Sequence, residues 1–197
     1  MIGQPSERRI GMTSDALVGT HADDPRLALA DEVDFRRWYE RHVPAVYAYL
    51  ASRCLGDADL VQELTQQTFI AAIQGRGRFD GRSEVTTWLC GIARHKLADH
   101  FRDQEREERR RLRATVRQIE VHDEGRPLRD AEERLLIAEA MRQLPPAQRA
   151  VLTFVALDDL PVAEVARLIG KSFGATQSLL ARARESFRRA YPRGIES

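Results

Sequence analysis

Few side chains in this sequence could act as nucleophiles, general bases or metal ligands, and their spacing matches no catalytic site. Cys54 and Cys90 form no C-x-x-C pair, and His95 and His100 are five residues apart rather than the four of a helical metal pair. The patterns GxSxG, GxxxxGK(S/T), GxGxxG and HExxH do not occur. The sequence therefore predicts no catalytic residue, no metal site and no cofactor.

Positive charge is instead concentrated near the C-terminus, although the whole chain has a net charge of only +1. Between positions 167 and 193 the only acidic residue is Glu185, whereas the basic residues are Arg167, Lys171, Arg182, Arg184, Arg188, Arg189 and Arg193. Arginine side chains bind phosphates, and such contacts hold a protein on a duplex without specifying sequence. The segregation of charge indicates an anionic partner, and nucleic acid is the obvious one.

The same segment predicts a helix-turn-helix, because Gly170 lies where two short helical patterns need a tight turn. The two predicted inner faces are Val162, Val165, Ala166 and Ile169 on the first helix, and Phe173, Thr176, Leu180, Ala183 and Phe187 on the second. The second helix of such a motif can enter a major groove. A helical hairpin used only for packing is the alternative.

The outward side of that second helix would carry Ser178, Leu179 and Arg182, with Lys171 at its entrance. Gln177 could pair with an adenine edge, and Leu179 could touch a thymine methyl group. A position exposed only to solvent is the alternative for each residue.

A second basic segment, "RFDGRSEVTTWLCGIARHKLADHFR" at 78–102, joins a glycine-rich loop to a predicted helix. Basic groups interleaved with aromatic rings suit single-stranded DNA, whose unstacked bases seek flat surfaces. Trp88 lies on an apolar helical stripe and is expected in the core, so Phe79 in the loop is the better candidate for an exposed aromatic. The basic side chains on this segment include Arg78, Arg94, His95, Lys96, His100 and Arg102.

A polar patch in the preceding helix has a different character. Gln62, Glu63, Gln66 and Gln67 are neutral or acidic, so they suit a protein partner better than nucleic acid. A solvated helix face is the alternative.

The elements that carry these residues are all predicted to be helical. Apolar residues recur at helical spacing over 33–50, 58–74 and 84–102, and again in four pieces at 131–143, 146–157, 162–169 and 174–191. We expect an all-α protein with two small helical domains, at 31–104 and 131–193, joined by a flexible charged linker at 105–130. Glu–Arg pairs at the start of the linker could prolong the third helix.

The N-terminus adds little that suggests structure or export. Residues 1–30 are polar and aperiodic, which predicts a mobile tail. The chain has no apolar signal core and no run of about 18 apolar residues, so we expect a cytoplasmic protein that does not insert into a membrane.

Four stretches, in order and at matching spacing, resemble the bacterial sigma-70 family in its compact extracytoplasmic-function (ECF) group. They are "LTQQTFIAA" (64–72), "RFDGRSEVTTWLCGIARHKLADHFR" (78–102), "LPPAQRAVLTFVALDDLPVAEVARLIG" (144–170) and "ARARESFRR" (181–189). The resemblance implies a sigma factor, which joins core RNA polymerase and directs initiation at promoters. Its first domain would be region 2, which docks on the β′ clamp helices and opens the −10 element. Its second would be region 4, which binds the −35 duplex and the β flap.

The resemblance also assigns roles to residues by their position. Polymerase docking falls to Glu63, Gln66, Gln67 and Phe69. Contact with the −10 strand falls to Arg78, Phe79, Arg94, His95, Lys96, Asp99 and Arg102, and contact with the −35 element to Lys171, Ser172, Gln177, Ser178, Leu179, Arg182 and Arg184. An anti-sigma factor, common in this group, is a further expected partner.

The chain departs from the family pattern at a few of these positions. The family usually has an acidic residue at Gln67 and asparagine at His95, and its reading helix usually has lysine and arginine at Gln177 and Leu179. Lys171 stands where the family has an apolar residue. The departures at Gln67 and His95 could change docking strength and the preferred −10 base, and those in the reading helix could change the strength and sequence of −35 reading. The alternatives to a sigma factor are a stand-alone helix-turn-helix repressor or activator, and an interaction protein that mainly binds a regulator.

Overall fold

A computed structural model describes residues 24–26, 32–114 and 129–191 of the chain. Within them the secondary structure is helical, as the sequence predicts. The α-helices are α1 (Glu32–Ala51), α2 (Ala58–Gln74), α3 (Val85–Ala114), α4 (Arg129–Arg142), α5 (Pro146–Ala156), α6 (Val162–Leu168) and α7 (Phe173–Ala190). A short 3-10 helix, Arg76–Arg78, lies between α2 and α3.

The boundary of α2 follows from local chemistry. Its predicted limits, 58–74, are confirmed. Asp57 has an extended backbone, and its carboxylate accepts the Leu60 N–H at 2.9 Å, which satisfies one of the free donors at the helix start. Gly56 before it has a φ of +84°, a left-handed conformation that glycine adopts without strain.

The charged segment after position 102 continues α3 rather than ending it. The apolar pattern ends at position 102, whereas α3 runs to Ala114 and has 30 residues, which confirms the prediction that Glu–Arg pairs could prolong this helix. Ion pairs one helical turn apart accompany the extension, including Arg109–Glu105 at 2.6 Å and Arg111–Glu107 at 3.1 Å. The predicted tail, apart from 24–26, and positions 115–128 of the predicted linker lie outside the described residues.

Two bundles result, and they pack against each other. Helices α1, α2 and α3 form the first, and α4 to α7 form the second, in which α7 contacts α4, α5 and α6. A continuous buried cluster runs through both, with Leu50, Leu64 and Leu89 in the first bundle and Val151 and Leu180 in the second. Helix α3 therefore serves both bundles, because its later turns pack on α5.

Candidate nucleic-acid interface

Helix α7 begins at a well-defined turn. Gly170 has a φ of +68°, in the left-handed region that glycine tolerates best. Two residues later Ser172 caps the helix, and its hydroxyl accepts the Ala175 N–H at 3.3 Å. The predicted helix-turn-helix is thus built from α6, this turn and α7.

The inner face of α7 differs from the predicted one at Leu179 and Phe173, and the predicted Phe187 is only half-buried. The buried residues are Thr176, Leu179, Leu180 and Ala183. At 100° per residue these four fall within an arc of about 100°. Leu179 is only 8% exposed, so the prediction that it lies on the outward side of the helix is wrong, and its side chain is not open to a thymine methyl group in this structure. Phe173, predicted to face inward, is 52% exposed because it begins the first turn, at the edge of that arc.

The other side of α7 remains open to solvent. Exposed side chains there include Ser172, Gln177, Ser178, Arg182 and Arg184, all predicted contacts for the −35 element. The Ser178 hydroxyl donates to the Gly174 carbonyl at 3.0 Å, which holds it against its own helix. The structure therefore places these five predicted residues on the solvent-exposed part of one helix.

Lys171 is placed differently. Its ammonium group donates to both carboxylate oxygens of Glu105 on α3, at 3.0 and 3.1 Å. The two side chains are about four-fifths buried. In this arrangement the lysine charge is neutralised by a carboxylate, so a phosphate would have to compete with Glu105 for it.

The predicted −10 residues of α3 are brought together on its middle turns. His95 is exposed, while Arg94, Lys96, Asp99 and Arg102 are half-buried. Arg102 forms an ion pair with Asp99 one turn earlier, and Arg94 approaches Glu164 of the second bundle at 3.7 Å. Of these residues His95 is the one most open to a strand of DNA.

The glycine-rich loop before α3 presents a cation rather than an aromatic ring. Arg78 is exposed at the end of the 3-10 helix. Phe79 is buried and its ring centroid lies 5.3 Å from that of Trp88, so the prediction of an exposed Phe79 is wrong. The phenyl ring anchors the loop to α3, since burying an aromatic side chain stabilises the fold more than exposing it would.

The polar patch on α2 is an exposed surface around a hydrogen bond. Glu63 and Gln66 are exposed, and Gln67 donates its amide to the Glu63 carboxylate at 2.9 Å. This bond links the two residues one helical turn apart.

Phe69, predicted as part of the same docking patch, is in the core. It is 3% exposed, and its ring lies 5.5 Å from Trp38 and 4.6 Å from Tyr39 between centroids. Its ring is therefore not open to a docking partner in this structure, and its role as a contact residue stays a prediction. Ile70, the next residue, is 46% exposed and lies one turn after Gln66 on the patch. Sequence analysis missed it because adjacent apolar residues give no sign of which one faces inward.

A polar network joins the two bundles on the side of α1. The Asp158 carboxylate, after α5, accepts from Arg53 at 2.6 and 2.9 Å and from the Tyr49 hydroxyl at 3.0 Å. Its side chain is 3% exposed. Burial and the adjacent Asp158 charge raise the pKa of Tyr49, so the tyrosine stays a donor. Nearby, Phe101 of α3 meets Phe154 of α5 edge to face at 6.1 Å.

Both thiols are held in their protonated form. Burial raises the pKa of Cys54 to about 12 and also raises that of Cys90. Because the thiolate is the nucleophile and the metal ligand, neither side chain is activated at neutral pH. Among the described residues there is no cluster of potential metal ligands, and no helix there is long and apolar enough to cross a membrane.

Two family models match the chain, and their positions coincide with the two bundles. Sigma-70 region 2 matches residues 38–107, and Sigma-70 region 4 matches residues 134–187. Together the matches span well over half of the chain. They include the α2 patch, the middle turns of α3 and the helix-turn-helix up to residue 187.

Curated relatives carry the same family name. The chain is similar to the ECF RNA polymerase sigma factor BldN of Streptomyces coelicolor, with 35% identity over 174 residues, which cover 84% of this chain and 63% of BldN. It is 50% identical over 48 residues to the ECF sigma factor SigC of Mycobacterium tuberculosis, covering 24% of this chain and 26% of SigC. The chain thus spans between a quarter and just under two thirds of the length of these relatives.

Solved structures of sigma factors are also similar. The sigma factor RpoE of Bartonella quintana, in complex with the anti-sigma factor NepR, matches with a TM-score of 0.47 and 22% identity, over 80% of this chain and 96% of that one. BldN in complex with RsbN matches with a TM-score of 0.35 and 28% identity, over 84% and 97%. With both family models matched in order and ECF sigma factors as its relatives, the chain belongs to the sigma-70 family, in its ECF group.

Proposed function

We propose that this protein is a promoter-specificity subunit of bacterial RNA polymerase and not an enzyme. The observation that carries the proposal is the form of α7, with a buried inner face and an exposed side that holds Gln177, Ser178 and Arg182. Such a helix can enter a major groove, where glutamine pairs with adenine and arginine with guanine or phosphate.

The first bundle would act on a different form of the promoter. His95, Lys96 and Arg102 of α3, with Arg78 in the preceding loop, offer charge to a single strand. Holding a flipped base costs a few kcal/mol of unstacking, which contacts to the strand must offset. The α2 patch of Glu63, Gln66 and Ile70 would dock on the polymerase, at the β′ clamp helices.

The remaining partners follow from the same proposal. The second bundle would also contact the β flap, and an anti-sigma factor, common in the ECF group, would be a further partner. The protein would act in the cytoplasm, where bacterial polymerase and DNA are located.

Run-off transcription from a randomised promoter library tests the proposal. Purified protein added to core polymerase should yield transcripts from templates that share one −10 and one −35 sequence. An Arg182→Ala, Gln177→Ala variant, altered only at exposed positions, should fold normally and lose most of these transcripts. A protein that binds duplex DNA alone, but neither co-elutes with core polymerase nor yields transcripts, would be a repressor or activator instead.

A further inference from the structure

Phe173 occupies an unusual place for an aromatic residue, at the first position of the reading helix. It follows the Ser172 cap directly, and half of its side chain is exposed. Burying a phenylalanine side chain typically contributes about 1.5–3 kcal/mol to the free energy of unfolding, and the half-exposed Phe173 contributes only part of that. Of the described residues of α7, it is the only large hydrophobic one that is exposed.

The neighbours of Phe173 on the helix surface are predicted DNA contacts. Gln177 lies four residues later and Arg184 eleven residues later, so all three fall within about 40° on one side of α7. Side chains in a helix lean toward its N-terminus, so the ring projects past the start of α7. In a helix-turn-helix these N-terminal residues contact base edges.

The chemistry of a phenyl ring limits what it could recognise there. It neither donates nor accepts a conventional hydrogen bond, and the one apolar group on a base edge in the major groove is the 5-methyl group of thymine. Residues four apart on a helix have Cβ atoms about 5–6 Å apart, which corresponds to one or two base pairs at about 3.4 Å each. A base contacted by Phe173 would therefore lie within two base pairs of the one contacted by Gln177.

We propose that Phe173 is a specificity-determining residue that contacts the 5-methyl group of a thymine in the −35 element. This inference rests on the proposed function, since it requires α7 to enter the major groove of a promoter. It also assigns the apolar contact to the first turn of α7 rather than to Leu179, which is buried.

The test removes only the methyl group. In a promoter obtained from the library, each thymine of the −35 element is replaced in turn by uracil, and binding and run-off are measured with the polymerase holoenzyme. Loss of one buried methyl contact should weaken binding of the wild-type protein about fourfold at one position. With Phe173→Ala the same replacement should have no effect.

Gln177→Ala provides the matched control, because it changes an exposed residue one turn away. This variant should keep the fourfold sensitivity to uracil, and both variants should unfold at the wild-type temperature. The inference is overturned if the −35 element contains no thymine, if uracil affects wild type and Phe173→Ala equally, or if Phe173→Ala fails to bind core polymerase. In each of those cases the wild-type protein still initiates transcription. If the proposed function is wrong, by contrast, no template yields transcripts.

Discussion

Phe69 and Ile70 are adjacent on α2, but one side chain is in the core and the other is exposed to a possible partner. The two side chains differ by 100° around α2. Phe69 fills the space between Trp38 and Tyr39, whereas Ile70 is exposed beside Gln66. The pair makes it possible to distinguish a folding defect from a docking defect at adjacent residues.

Phe69→Ala should lower the free energy of unfolding by about 3–5 kcal/mol, because it leaves a cavity in the core. Ile70→Ala should change stability by less than about 0.5 kcal/mol and weaken binding to core polymerase about tenfold. Thermal unfolding and co-elution with polymerase measure the two effects. Wild-type affinity for polymerase in Ile70→Ala would contradict the placement of the docking surface on this side of α2.

His100 predicts a dependence of stability on pH. Burial lowers its pKa below 6.5, and Arg149 acts in the same direction, while Glu63, Asp57 and Asp103 act against it. The unfolded state therefore binds more protons in this range. The contribution of His100 to stability is complete above about pH 6.5, and it is lost as the pH falls toward the pKa of this residue in the folded state.

The free energy of unfolding should therefore decrease between pH 7.5 and pH 5.5, and it should decrease less in His100→Gln. Denaturant titrations at several pH values measure this slope. The control is His95→Gln, since His95 is exposed and on the same helix. An unchanged slope in His100→Gln would show that other groups cause the pH dependence.

At the scale of the element, helical periodicity and capping residues predicted where the helices lie, apart from the extension of α3 to Ala114, which only the Glu–Arg pairs indicated. Gly56, Asp57 and Gly170 mark the start of α2 and the turn before α7. Periodicity did not predict which edge of a helix is buried, because that depends on the helices packed against it. For this reason Leu179 and Phe173 were assigned to the wrong sides of α7. Phe79 was expected to be exposed because it lies in a loop, and no local pattern indicates that it packs on Trp88.

Ser172 combines a capping role with a place at the predicted DNA contact. Ser172→Asp should preserve the cap, since aspartate is also a favoured capping residue, and so leave the unfolding temperature close to wild type. It should weaken binding to −35 duplex by about tenfold, because the new charge would face phosphates.

Ser172→Ala is the comparison variant, because it should reduce stability more than it reduces DNA binding. It should lower stability by about 0.5–2 kcal/mol without adding a charge. Thermal unfolding and duplex-binding titrations measure the two variants. Equal duplex binding by Ser172→Asp and wild type would place the start of α7 away from the DNA backbone.

At the scale of the whole molecule, the contact between the bundles could not be predicted from the sequence. The Tyr49, Arg53 and Asp158 network joins residues more than 100 positions apart, and no local pattern in the sequence indicates that they meet. The pairing of Lys171 with Glu105 was unforeseen for the same reason. The two domains were predicted separately, and their packing is what the structure adds.

The packed arrangement should loosen in Asp158→Asn. This change removes the carboxylate that neutralises Arg53, and loss of one partner from a buried pair costs about 3–5 kcal/mol. We expect a larger radius of gyration in small-angle X-ray scattering. Asp159→Asn is the matched control, because Asp159 is exposed and adjacent in sequence. Identical scattering from both variants would show that Asp158 does not hold the bundles together.

The contact between the bundles has a consequence for how the free protein searches the genome. The −10 and −35 elements are about 25 base pairs apart, or about 85 Å along the duplex axis. In this structure the two bundles are in contact, since Lys171 at the start of the reading helix lies 3.0 Å from Glu105 of α3. If the bundles bind these elements as proposed, they must separate before both elements can be bound, and the affinity of the free chain for a promoter is reduced to the extent that separated chains are rare. Chromosomal DNA offers a vast excess of non-specific sites. A chain that remains folded on itself until polymerase binds would contact such sites without using both bundles as it would at a promoter.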